Sequence, residues 1–101
     1  MASRLDLQTL LESTLGSENV YYQAPSNVSM KYPAIRYSRK NIDNKFADDA
    51  VYMQMLEYEL TVIDEDPDSV VVMKVSKLPM CKFDRHYVSN NLNHDVFVIK
   101  F

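Results

Sequence analysis

Glycine is almost absent from this 101-residue sequence, and its scarcity excludes a large group of functional sites. The chain contains a single glycine, Gly16. The phosphate-binding loops of nucleotide enzymes need several glycines, because their backbone must approach the phosphate closely. The sequence therefore contains no glycine-rich loop of that kind, which removes most nucleotide enzymes from consideration.

Cysteine and long apolar runs are also scarce. The single cysteine, Cys81, cannot form a disulfide within the chain, which is typical of a protein made in a reducing compartment. No apolar run approaches the roughly 20 residues that a membrane-spanning helix needs, and residues 1–15 are interrupted by charged and polar side chains. We expect neither a signal peptide nor a membrane anchor.

The sequence also lacks an excess of positive charge. The formal net charge is -3 and the pI is near 5.2, so no overall basic field is present to hold a nucleic-acid backbone. With 47% hydrophobic and 25% charged residues, the composition is that of a globular chain. The length suits one domain that spans residues 1–101. We expect no specific nucleic-acid binding.

Residues 3–15 have the apolar spacing of an amphipathic helix. The leucines that recur at this spacing are Leu7, Leu10, Leu11 and Leu15. Ser3 and Asp6 resemble an N-terminal capping pair, and Gly16 is placed to end the helix. A second helix is predicted over residues 69–78, where Val71 and Val75 would face inward.

Alternating apolar and polar residues predict strands at residues 20–22, 34–40 and 51–63. Residues 41–50 are rich in asparagine and aspartate and predict an extended surface loop. Residues 80–101 predict a hairpin with its turn near Asn90 and Asn91. The first strand of that hairpin would carry Cys81, Phe83, Arg85 and Tyr87 on one face.

The last strand of the hairpin has two apolar faces, one with Val96 and Val98 and the other with Phe97, Ile99 and Phe101. Such a strand lies inside a sheet that is covered twice, or one of its faces meets another subunit. The predicted fold class is α+β, a mostly antiparallel sheet with an N-terminal helix and a second helix packed on it.

Three aspartates, Asp64, Asp66 and Asp68, match the first ligand positions of an EF-hand calcium loop. The match then fails, because Ser69 stands where that loop has a glycine and Val75 stands where it has a bidentate glutamate. Carboxylates that precede a helix are favoured by the helix dipole, which is the simpler interpretation. We predict no calcium site.

The last hairpin carries four possible metal ligands, Cys81, Asp84, His86 and His94. Strict alternation would put Cys81 on the opposite face from Asp84 and His86, so no tetrahedral set and no cysteine–histidine nucleophilic pair would form. We predict no catalytic residue, no cofactor and no metal. A small enzyme or metal-binding module stays the less favoured alternative.

A basic group and an acidic group indicate a possible subunit interface. The basic and neighbouring aromatic residues are Arg36, Arg39, Lys40, Lys45 and Phe46, and the acidic ones are Asp64, Asp66 and Asp68. Opposite patches on one subunit suit head-to-tail packing, which can close into a ring. A solvated loop is the alternative interpretation of the basic group.

Five segments resemble the small neck and tail proteins of long-tailed bacteriophages, and in particular tail terminators, also called tail completion or head-tail joining proteins. The segments are residues 32–37 (YPAIRY), 42–47 (IDNKFA), 58–69 (YELTVIDEDPDS), 83–87 (FDRHY) and 91–94 (NLNH). The resemblance extends from the N-terminal helix to the last strand. The Asp-Pro-Asp-Ser and Phe-Asp-Arg-His-Tyr pieces are its most specific parts.

The resemblance implies a homo-oligomeric ring of six subunits that caps the finished tail tube, stops its growth and docks on the filled head. Its partners would be the tail tube protein and the head-tail connector proteins, and DNA could pass through its lumen. It would be assembled in the host cytoplasm and be found in the neck or tail of the virion. A head completion or connector protein of the neck is the alternative.

Overall fold

The computed structural model describes residues 4–23, 31–47 and 50–101, and for residues 43, 45–47 and 51–53 it describes the backbone only. The elements are α1 (Arg4–Leu15), β1 (Val20–Tyr22), β2 (Ala34–Ala47), β3 (Ala50–Asp64), α2 (Val70–Ser76), β4 (Cys81–Ser89) and β5 (Leu92–Lys100). The strands form a five-stranded sheet in the order β1-β2-β3-β5-β4. Only the β1–β2 pairing is parallel among the described strand pairs, which confirms the predicted α+β class.

Helix α1 buries a stripe of leucines against the sheet. The fully or almost fully buried ones are Leu7, Leu11 and Leu15. Leu10 is half-buried beside them. Gly16 ends the helix as predicted, because its φ of 83° suits glycine and its N–H donates to the Glu12 carbonyl at 2.8 Å. The predicted capping residue Ser3 lies outside the described residues.

Alternate side chains of β2, β3 and β5 meet both helices on one face of the sheet, which we call the helix face. The strand residues buried there are Ile35, Tyr37, Tyr58, Leu60, Val62, Phe97 and Ile99, and α2 adds Val71 and Val75. The positions between them lie on the opposite side, which we call the second face. The predicted alternation of β3 and the inward positions of α2 are therefore confirmed.

A polar network ties α1 to the strands at the edge of this core. The Tyr37 hydroxyl donates to Gln8 Oε1 at 2.5 Å and accepts from Arg4 Nη1 at 3.2 Å. Gln8 Nε2 in turn donates to the Val20 carbonyl at 3.1 Å. Burial raises the pKa of Tyr37, so at neutral pH the hydroxyl keeps the proton that it donates.

The structure corrects the prediction of a surface loop over residues 41–50. Strand β2 continues to Ala47 and β3 begins at Ala50, so both sides of the expected loop are paired strands. Asp43 pairs with Met55, and Asn44 pairs with Gln54. Asparagine and aspartate are poor strand formers, but pairing with a long apolar partner strand outweighs that weak preference. Residues 48 and 49 lie outside the described part.

A β-bulge in β4 corrects the predicted faces of the last hairpin. The register shifts between Phe83 and Arg85, which pair with Phe97 and Val96. One extra residue reverses the alternation, so Arg85 and Tyr87 lie on the opposite face from Phe83. His86 is thereby moved to the same face as Cys81, and the expected opposition of these two residues is wrong.

The turn of that hairpin is confirmed. Asn90 and Asn91 have φ values of 52° and 63°, the left-handed conformations that a two-residue type I′ turn requires. Strand β5 lies between β3 and β4, inside the sheet. Its Phe97 and Ile99 pack on the helix face, and Val96 is buried on the second face.

Candidate assembly surface

The long hairpin of β2 and β3 extends beyond the rest of the sheet. Pairing of β3 with β5 begins at Glu57, whereas β2 and β3 stay paired from Ile42↔Leu56 to Ala47↔Ala50. We call residues 42–47 and 50–56 the hairpin arm. Its six pairs extend for about 20 Å at the usual strand rise. The arm accounts for the elongated shape, whose extents are 51 × 23 × 23 Å.

Among the described residues, the arm has few contacts beyond its own two strands. At its base the Leu56 carbonyl accepts a hydrogen bond from the Phe101 N–H at 2.9 Å. Ile42, which pairs with Leu56, is 42% exposed, and further out Gln54 Nε2 donates across the arm to Asn44 Oδ1 at 3.0 Å. An isolated two-stranded hairpin is only marginally stable in water. Contact with another surface would therefore stabilise the arm.

The predicted basic group does not form one patch. Arg36 pairs with Thr61 and lies on the second face, whereas Arg39 pairs with Tyr58 and lies on the helix face. Lys40 occupies a register shift at the base of the arm, where it is exposed. Lys45 and Phe46 belong to the strands of the arm, and their side chains lie outside the described part.

The acidic turn, residues 64–68, lies at the other end of β3 from the arm. Asp64 is the last residue of β3. The Asp66 N–H donates to Asp64 Oδ1 at 3.2 Å and the Asp68 N–H donates to Asp66 Oδ1 at 2.9 Å, so these carboxylates order the turn. The predicted acidic and basic residues are therefore not brought together within one chain.

An apolar groove with acidic residues on its walls follows this turn. It has a volume of about 250 Å³ and is lined by Pro67, Asp68, Ser69, Val70, Val72, Met73 and Asp95. Val70 is 68% exposed and Met73 is 64% exposed, although both belong to α2. We call this the α2 groove. Sequence reasoning missed it, although apolar residues on the outer side of a short helix are a usable signal.

Ser69 has an unusual place in the α2 groove. It occupies the N-cap position of α2 but makes no side-chain capping hydrogen bond. Its Oγ is buried and has no hydrogen-bond partner within the described ranges. Ser69 therefore does not cap α2 through its side chain.

Strand β4 forms the edge of the sheet beside this groove, and its side chains are mostly exposed. Phe83 is 52% exposed and Val88 is 62% exposed. His86 Nδ1 lies 2.8 Å from Asp95 Oδ1, which joins β4 to the wall of the groove. The bulge in this strand interrupts the regular hydrogen-bonding edge, a common protection against uncontrolled strand pairing.

Neither chemical candidate from the sequence forms a reactive centre in the described structure. Cys81 and His86 pair with residues four positions apart on β5, Ile99 and Asp95, which separates them by roughly 13 Å along the strand. Burial raises the pKa of the Cys81 thiol, which disfavours the nucleophilic thiolate. Across the described ranges, no three His, Cys, Asp or Glu side chains are arranged to hold a metal ion.

Neither of the helices in the described ranges has the length and apolar character to cross a membrane. The chain matches no protein-family model and no curated protein.

Proposed function

We propose that this protein is a structural subunit that assembles with copies of itself, and that it acts as the tail terminator of a long-tailed bacteriophage. In this role a ring of six copies caps the tail tube, ends its polymerisation and joins it to the head.

The hairpin arm is the observation that carries the self-assembly part of the proposal. Its six strand pairs lie beyond Glu57, where the pairing of β3 with β5 begins. A projecting hairpin of this kind gains stability when it lies on another protein surface. Neighbouring copies of the same chain supply such a surface at every position of a ring.

The separation of charge along β3 supports head-to-tail contacts in particular. Arg39 lies opposite Tyr58, six residues before Asp64 on β3, which corresponds to about 20 Å. Residues 36–40 contain three basic and no acidic side chains, and residues 64–68 contain four acidic and no basic ones. Arg39 and Lys40 of one subunit therefore attract the acidic turn of the next.

The bacteriophage part of the proposal rests on the sequence resemblance, which covers the base of the arm, the acidic turn and β4. A phage that lacks this protein tests it by electron microscopy of the particles. We expect overlong tails, because nothing stops the polymerisation of the tube. Supplying the wild-type protein should restore normal length, whereas a copy without the arm should not.

Two results would speak against this function. Filled heads that leak DNA beside normal tails would indicate a head completion protein of the neck instead. Normal, infectious particles without the protein would show that it is not a structural component of the neck or tail.

A further inference from the structure

We propose that the α2 groove receives the base of the hairpin arm from a second copy of this chain. This inference rests on the proposed self-assembly and adds to it the surface that each arm contacts.

The chemistry of the groove defines what fits it. Its exposed apolar residues are Val70 and Met73, and Asp68 and Asp95 supply negative charge on its walls. A suitable occupant therefore has apolar side chains together with positive charge. Asp68 forms no ion pair within the described ranges, so its charge is available to such an occupant.

The base of the arm has this combination. Ile42 is 42% exposed, and the exposed cations Arg39 and Lys40 lie three and two positions before it on β2. None of the ion pairs within the described ranges involves Arg39 or Lys40. The groove and the arm are therefore complementary both in apolar character and in charge.

The same chain cannot fill its own groove with its own arm. The groove lies beside Asp95, which pairs with Val62, whereas the arm begins at Leu56 and leads away from that end of the sheet. The occupant is therefore the arm of another copy. Such a contact is heterologous and repeats from one subunit to the next.

Sedimentation analysis of three variants over a range of protein concentrations tests this arrangement. The groove variant carries Val70→Lys and Met73→Lys, the arm variant carries Arg39→Glu and Lys40→Glu, and the control variant carries Leu5→Lys. Leu5 is a matched control because it is 65% exposed, lies on α1 and does not line the groove. A cooperative melting transition would show that each variant is folded. Met73→Ser is a milder groove variant.

We expect the groove variant and the arm variant each to raise the dissociation constant by about tenfold or more, while the control assembles like the wild type. The decisive sample is an equal mixture of the two interface variants. One intact arm and one intact groove remain in each mixed pair, so dimers should form and larger assemblies should not.

Three outcomes overturn the inference. If the wild type assembles and the groove variant assembles equally well, the arm contacts another surface and only the inference fails. If both variants are monomeric but their mixture forms no dimer, the two surfaces do not contact each other. If the wild type is monomeric at every concentration, the proposed self-assembly fails together with the inference.

Discussion

Individual residues decide what this molecule can do chemically, and Ser69 and Cys81 illustrate this in different ways. Ser69 stands at a helix N-cap without capping, and its hydroxyl is buried without a partner in the described structure. Cys81 is the single thiol, and its partial burial disfavours ionisation. Neither residue has the surroundings of a catalytic group, and each gives a measurable prediction.

We predict that Ser69→Ala changes the free energy of unfolding by less than about 0.5 kcal/mol, whereas loss of a working N-cap costs about 1 kcal/mol. The reason is that the substitution removes no hydrogen bond of the monomer. Urea denaturation of dilute protein measures the difference. Asp66→Ala is the control, because it removes the acceptor of the Asp68 N–H and should destabilise more. A loss of about 1 kcal/mol or more for Ser69→Ala would show that its hydroxyl does cap α2.

We predict slow alkylation of Cys81 by iodoacetamide in the native protein and fast alkylation in denaturant. The thiolate is the reactive form, and burial raises the pKa of Cys81 in the folded chain. The free energy of unfolding also depends on pH, because the unfolded chain loses the thiol proton at a lower pH than the folded chain. Stability should therefore decrease with increasing pH above the unfolded thiol pKa. Equal alkylation rates in both states would contradict this prediction.

At the scale of elements, the predictable parts of the fold are those where one local pattern dominates. The leucine spacing of α1, the alternation in β3 and the Asn90-Asn91 turn were all correctly predicted from the sequence. The continuation of β2 through Asn41 and Asp43 was not predicted, because that part of the strand is stabilised by pairing with β3 and its residues have little strand preference of their own. The bulge in β4 has no sequence signal that separates it from regular alternation.

The candidate site was predictable to a similar degree. The acidic turn and the basic residues of β2 were visible in the sequence, but their separation along β3 depends on the sheet register. The α2 groove requires Asp95 of β5 to lie near α2, which no local pattern specifies.

A substitution in β3 tests the packing of both helices on the sheet. Leu60 is fully buried on the helix face, whereas Leu5 on α1 is 65% exposed. Leu60→Asp should lower the free energy of unfolding by several kcal/mol, because it buries an unpaired charge. Leu5→Asp should change it by about 0.5 kcal/mol or less. Thermal melts of both variants measure the contrast, and similar melting temperatures would refute the assigned core.

At the scale of the whole molecule, the hairpin arm and the distribution of charge both lead us to expect self-assembly. The basic residues at the base of the arm and the acidic turn after β3 give each subunit two surfaces of opposite charge. Exposed charge pairs are screened by salt, so added salt should weaken the assembly of the wild type if these charges contribute. Each interface of a ring repeats the same contact, so a small loss per contact affects the whole assembly.

The most direct test of the central claim compares the solution mass of the wild type with that of an arm-shortened chain. Asn41 and Glu57 are paired, so a two-residue Asn-Gly turn can replace residues 42–56 and close the hairpin at its base. We predict a defined oligomer for the wild type, and a cooperatively folded monomer for the shortened chain at the same concentration and salt. A monomeric wild type, or the same oligomer formed without the arm, would contradict self-assembly through the hairpin arm.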